Sequence, residues 1–440
     1  MAPAARLRFA IVVAALIAAR PLTQPAVAGS YQNDSPSAAD ELWSRGLFDE
    51  AEAIARETAS ARPADGASRE LIARALLSRG DYEGARRECD AALVCANARP
   101  KWHYTMGRAF ARLGDFAAAA REFDIFVQTA PRVDRGSTAL IAAAADAALF
   151  RAMRRSPRNV AFEDDGVQRI KFRIAGGHLF VMASLNGGHP TPWMIDTGAE
   201  RAAVTLQTAE RSGAKVLLEG RQDDARFVVL LDEFSFGGLT FHQVPAFVRS
   251  QAFHTAPQLG GDAFSPLAFG LSMVIDYDRA ELLVSRRLPD DPHEWALPMR
   301  FHGVPTVRAS VGGRPIALVV DSGADATVFA PWAAVDPADL VLRRQLPMHV
   351  VDTRNRRDPG AVMIIPAPSF MLGDVELPAT PVITMNLARP SQDLGFQIGG
   401  LLGHTTLQAY RVTFDLVRNR LLLSRRSSWS VLAASVPNVE

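Results

Sequence analysis

Two stretches, VMASLNGGHPTPWMIDTGAE (residues 181–200) and TVRASVGGRPIALVVDSGAD (residues 306–325), decide how this chain is read. Each carries a Gly-Gly pair, a proline two residues later, an apolar run, and then Asp-Thr/Ser-Gly-Ala. A Gly-Gly turn between runs rich in Val, Ile and Leu predicts a β-hairpin. The second strand of each hairpin delivers an aspartate, Asp196 or Asp321, into a tight loop. A single Asp-Thr/Ser-Gly reads as a type I turn with Asp at its start. Two copies at equivalent places of a duplicated unit do not. The duplication extends further: LSMVIDYDRAELLVSRR (271–287) matches YRVTFDLVRNRLLLSRR (410–426), with Asp276 opposite Asp415. The offset is 125 at the first aspartates and 139 at these ends, so the second copy is about fourteen residues longer between its landmarks.

The chemistry of such a pair follows from electrostatics. An apolar strand carries each carboxyl into a partly desolvated place. Two like charges held close cannot both ionise, so the pair shares a proton. The ionised member takes a proton from a water, and the protonated member donates to a carbonyl oxygen. Thr197 and Ser322 have hydroxyls that can brace the facing loop, and Gly198 and Gly323 permit close backbone approach. The expected site is therefore Asp196 and Asp321, supported by Thr197, Gly198, Ser322 and Gly323. It requires no cofactor and no metal.

On these residues, about 165 to 426 resemble the aspartic peptidases of the retropepsin-like kind. The alanine after each glycine (Ala199, Ala324) is the retroviral habit. The resemblance implies an all-β, bilobal, acid-protease-like domain, with both halves fused in one chain. It also implies a hydrophobic-hydrophobic-glycine element beneath each catalytic loop. Leu401-Leu402-Gly403 fits in the second half, and Leu259-Gly260-Gly261 is the expected counterpart in the first. Glu200 follows the first motif where a small polar residue is common in the family. The strands around 226–236 and the segment 349–360 are candidates for a substrate-covering hairpin. A peptide or protein is the implied substrate.

The first third reads differently. Three segments align with Gly46, Gly80 and Gly114 spaced by 34 residues, as are Phe48, Tyr82 and Phe116, and Ala51, Ala85 and Ala119. That period marks helix–turn–helix pairs. Residues 36 to about 131 resemble tetratricopeptide repeats, with a further alanine-rich helix near 137–154 capping the stack. Such stacks offer a concave face for a protein partner or act as spacers.

The 440 residues carry a net charge of +1, which argues against a nucleic-acid binder. Only Lys101, Lys171 and Lys215 among the 48 basic residues are lysines. With the abundant alanine, this points to a GC-rich, bacterial coding bias. Arg6 and Arg8, the apolar run 9–19 and Ala26-Val27-Ala28 read as a secretory signal peptide. No later stretch is long enough for a stable membrane span. Cys89 reads as a helix core residue, although a short-loop disulfide with Cys95 is open. His404 reads as a buried or surface residue near the second loop.

The expected organisation is multidomain: signal peptide 1–28, all-α repeat domain 36–153, lobe one 165–290, lobe two 296–426, and a tail 427–440. The expected protein is an exported, periplasmic or secreted aspartic endopeptidase. It would be a monomer whose lobes form an intramolecular pseudo-dimer. The alternatives are a non-catalytic peptide-binding module that keeps the fold, and lobes paired between chains.

Overall fold

A computed structural model describes residues 37–95, 99–130, 138–154, 160–161, 166–218, 227–249, 261–334, 363–365, 370–377 and 382–426. The expected signal peptide, the tail, Leu259, Gly260 and the 349–360 hairpin candidate lie outside them. The described chain is a helical array followed by a bilobal β fold.

The array has seven described helices: α1 (Ala38–Ser44), α2 (Phe48–Ala61), α3 (Gly66–Ser78), α4 (Tyr82–Leu93), α5 (Pro100–Leu113), α6 (Phe116–Thr129) and α7 (Thr138–Met153). The periodic glycines Gly46, Gly80 and Gly114 all sit in the left-handed region, with φ of 78°, 77° and 84°. A β-carbon is costly there, so the period marks the turns. Asp81 and Asp115 cap the helices that follow by accepting from backbone N–H groups. Ala51, Ala85 and Ala119 are fully buried where neighbouring helices meet. Cys89 is buried in α4, and both cysteines are free thiols.

Each lobe repeats one topology. In the first, strand His178–Leu185 runs antiparallel to Thr191–Ile195, which pairs in parallel with Ala263–Phe264. Ala263–Phe264 then meets Ala202–Thr205 antiparallel. In the second, Pro305–Val311 runs antiparallel to Arg314–Val320, which pairs in parallel with Ile398–Leu402, itself antiparallel to Val328–Phe329. The apolar runs read from the sequence are the central strands of each lobe. That position explains why Trp193, Met194, Ile195, Leu318, Val319 and Val320 are all buried.

Six antiparallel strands at one end of a fourteen-stranded sheet join the lobes, in the order Trp295–Phe301, Arg420–Arg425, Tyr410–Asp415, Ser272–Asp276, Glu281–Ser285, Gln168–Lys171. The duplicated ends supply its middle. Val274 pairs with Thr413, and by the 139-residue offset these two are equivalents. A pseudo-twofold axis therefore passes through that pair.

The array is bound to both lobes. Asp146 of α7 pairs with Arg201 at 2.6 Å, and Leu149 and Met153 pack with Val228 of lobe one. On lobe two, Phe48 packs against His302 with ring centres 4.5 Å apart and edge-to-face against Phe396 at 4.8 Å. The Gln397 N–H donates to the Ser44 carbonyl at 2.7 Å. Gly46 is constrained twice, since a Cβ there would lie 2.5 Å from Ala317 Cβ. At the centre of this junction the buried Arg300 donates to Glu52 at 3.0 Å and also pairs with Asp49. Burial alone would raise the Glu52 carboxyl. Hydrogen bonds from Arg79, Arg300 and Arg56 outweigh it and hold the pKa at about 2. A carboxyl depressed in the folded state stabilises above its unfolded pKa and loses that contribution as pH falls through the folded value. Glu52→Gln should therefore cost about 3 kcal/mol at pH 7. The gap from the unsubstituted protein should narrow between pH 4.5 and about 2. Urea unfolding of both proteins across that range checks this, and a gap independent of pH would contradict it.

Candidate functional site

The parallel pairings carry the two aspartates to the same place from opposite lobes. The Asp196 N–H donates to the Phe264 carbonyl at 2.9 Å, and the Asp321 N–H donates to the Leu402 carbonyl at 3.0 Å. Each aspartate thus leaves its strand at the end of a parallel pair and turns into the interlobe space. Asp196 is 3% exposed and Asp321 is fully buried.

The two loops hold one another through four reciprocal hydrogen bonds. The Thr197 hydroxyl accepts from the Ser322 N–H at 2.9 Å and donates to the Val320 carbonyl at 2.8 Å. The Ser322 hydroxyl accepts from the Thr197 N–H at 3.1 Å and donates to the Ile195 carbonyl at 2.8 Å. Both hydroxyls are buried, so water cannot replace these bonds. Gly198 is demanded by proximity, because a Cβ there would lie 2.7 Å from Asp321 Cγ. The Gly323 N–H donates to Asp321 Oδ1 at 2.8 Å. Asp196 Oδ1 and Asp321 Oδ2 are buried and accept no hydrogen bond from the described residues.

The two carboxyls are in hydrogen-bonding contact, and burial raises both. The rise is larger for Asp321, because the Asp196 charge adds to burial there. Asp196 is raised less, because Arg249 and the hydrogen bond from Asp321 favour its charged form. Two carboxyls so placed cannot both ionise, and the pair holds one proton between them.

One expectation from the sequence is corrected. The element beneath the first loop is Ala263-Phe264-Ser265, not Leu259-Gly260-Gly261. Phe264 stands opposite Ile195 as Leu402 stands opposite Val320. Leu259-Gly260-Gly261 shares only the leading apolar residue and the final glycine of the pattern, with Gly260 departing from it, whereas strand register selects the residues. Ser265 takes the place of Gly403. In lobe two, a Cβ on Gly403 would collide with the Ala326 carbonyl, while Ser265 is accommodated fully in the core. Applying the offset of the closing strands to Gly403 lands within one residue of Ser265, so the signal was present in the sequence.

His404 lies behind the second loop. Its N–H donates to the Ala324 carbonyl at 2.7 Å, and its ring faces the Tyr277 hydroxyl at 3.4 Å. Burial holds its pKa at about 4, so the ring is neutral near pH 7. Arg249 was not foreseen. It ends strand Leu239–Arg249 beside Thr205, and no motif distinguishes it from the many other arginines. Glu200 faces Gly303, whose missing side chain leaves it room. The 226–236 candidate is in large part strand Val228–Phe236, paired with Lys215–Leu218. Among the described residues no group of His, Cys, Asp and Glu could hold a metal ion.

Paired Asp-Thr/Ser-Gly loops clasped across the axis of a two-lobed β fold define the aspartic-protease architecture. The family comparison gives the same answer. The model described as "Aspartyl protease" matches residues 181–262 and 307–406. Among solved structures, the aspartic proteinase from Irpex lacteus aligns with a TM-score of 0.36 at 12% identity, covering 60% of this chain and 98% of that one. No curated protein matches the chain significantly.

Removing either clasp hydroxyl leaves a buried N–H and a buried carbonyl unpaired. Thr197→Ala and Ser322→Ala should each lower stability by about 2–4 kcal/mol. The double variant should cost less than the sum, because both belong to one network. Urea unfolding of the three variants measures it, and simple additivity would speak against mutual support.

Proposed function

We propose that this chain is an exported aspartic endopeptidase whose two lobes, residues 165–290 and 296–426, form the site within one monomer. The observation that carries this reading is the reciprocal clasp that sets Asp196 beside Asp321. Asp196, the carboxylate, takes a proton from a water. Asp321, the protonated member, donates to the oxygen of the scissile carbonyl, and the water oxygen attacks its carbon. No covalent intermediate and no cofactor is involved. Thr197, Gly198, Ser322 and Gly323 keep the carboxyls in place, and the buried oxygens Asp196 Oδ1 and Asp321 Oδ2 are left for the reactants. The substrate class is peptide or protein.

The helical domain, residues 36–153, is the natural place for a protein partner or a substrate segment. Export rests on Arg6, Arg8 and the apolar run after them. Among the described residues no helix is long and apolar enough to cross a membrane.

The raised pair sets the pH dependence. Activity should fall on the acid side as Asp196 takes up a proton. It should fall on the alkaline side as Asp321 loses one, with that limb displaced upward from the ordinary carboxyl range by burial and the Asp196 charge. Asp196→Asn and Asp321→Asn should each lower kcat by at least about 10²–10⁴-fold. Cleavage of a diverse peptide pool from acidic to neutral pH, by the chain from residue 29 onward, checks both. Full activity in either variant would refute the dyad. A folded chain that binds peptides without cutting them would instead be a binding module on the same fold.

A further inference from the structure

A cavity of about 200 Å³ lies at the junction, between α3, α5 and the Phe301-His302 corner of lobe two. None of its lining residues belongs to the aspartate loops. One part of its wall is apolar, formed by Trp43, Leu77, Phe301 and Leu394. The other brings Arg74, Lys101, Arg108 and Arg112 together with a single lining carboxylate, Glu70. Cations gathered in a half-buried space repel one another unless something offsets them. Arg74 is offset by Glu70 at 3.0 Å and Asp40 at 2.8 Å, and Lys101 stands 4.0 Å from Asp40. Arg108 and Arg112 have no acidic partner among the described residues. Arg108 donates to the His302 carbonyl at 3.2 Å, and Arg112 lies over the Phe301 ring, 5.5 Å from its centre.

His302 belongs to the same wall. His302 is only 7% exposed, and its Nε2 is buried without a hydrogen-bond partner among the described residues. Buried polar atoms are normally partnered. Burial, then Arg108, Arg300 and Arg74, hold this imidazole well below its usual pKa, so the ring is neutral.

We propose that the junction cavity binds a compact molecule with an apolar body and a free carboxylate, the chemistry of a peptide's C-terminal residue or of an N-acylated apolar amino acid. The carboxylate pairs with Arg108 and Arg112, whose planar forks suit two oxygens. The apolar body rests on Trp43, Leu77 and Phe301. Pockets for drug-sized ligands run to ~300–1,000 Å³, so this smaller cavity suits one residue. Its walls come from the array and from lobe two, so the bound ligand fastens one to the other.

Calorimetric titration of the full chain carrying Asp196→Asn tests this. That background prevents cleavage and keeps the result separate from the peptidase reading. The probes are a pentapeptide ending in leucine, the same peptide amidated, and N-acetyl-leucine. The free acid should bind, and amidation should weaken it by about tenfold or more. Arg112→Gln should weaken it similarly without altering thermal unfolding. Binding of N-acetyl-leucine with the same Arg112 dependence assigns the free acid as sufficient; binding of the peptide alone assigns the chain end. Absence of binding by both acids, equal binding of the amide, or binding that survives Arg112→Gln overturns the proposal. The amide comparison stands even if the arginine variant fails to fold.

Discussion

Everything at the centre of this molecule depends on four hydrogen bonds between two loops. Each of Thr197 and Ser322 gives and receives across the pseudo-twofold axis. Neither loop can take up its position alone, because each satisfies the other's buried backbone groups. This mutual dependence brings two carboxyls together against their repulsion. The apolar strands beneath and the six antiparallel strands between the lobes set them so that the clasp can close.

The same opposition of burial and charge occurs twice more, with different outcomes. In the dyad, two acids are buried together, and the conflict is resolved by retaining a proton on the pair. At the junction between the array and lobe two, Glu52 is buried among Arg79, Arg300 and Arg56, and the conflict is resolved by ionisation. A carboxyl held at about 2 stays charged through mildly acidic conditions, so this part of the docking contact persists there. In the neighbouring cavity, Arg108 and Arg112 gather positive charge without a matching acid among the described residues, and that imbalance is what the binding proposal rests on.

The array is no loose appendage. Gly46 illustrates how closely it is fitted: the residue that permits the α1–α2 turn also lets that turn approach Ala317 of lobe two. Helix α7 reaches lobe one through Asp146 and Leu149, near the base of strand Val228–Phe236.

Local patterns in the sequence determined much of this. The 34-residue glycine spacing defined the helical pairs, because a left-handed turn selects glycine wherever it recurs. The matched Asp-Thr/Ser-Gly-Ala loops defined the duplicated β lobes and singled out Asp196 and Asp321, because apolar strands ending in a carboxylate are chemically unusual. The hydroxyls of Thr197 and Ser322 were legible for the same reason. What the sequence left open depends on contacts between distant residues. Ala263-Phe264-Ser265 was chosen over Leu259-Gly260-Gly261 by parallel register, which no local spelling records. Arg249 reaches the field of Asp196 only because its strand lies beside Thr205. The cationic cavity exists only because α3 and α5 close against His302, some two hundred residues away in the chain. Periodicity and turn chemistry are local and can be read along the chain, whereas register, electrostatic neighbourhood and cavities arise only when separate elements pack.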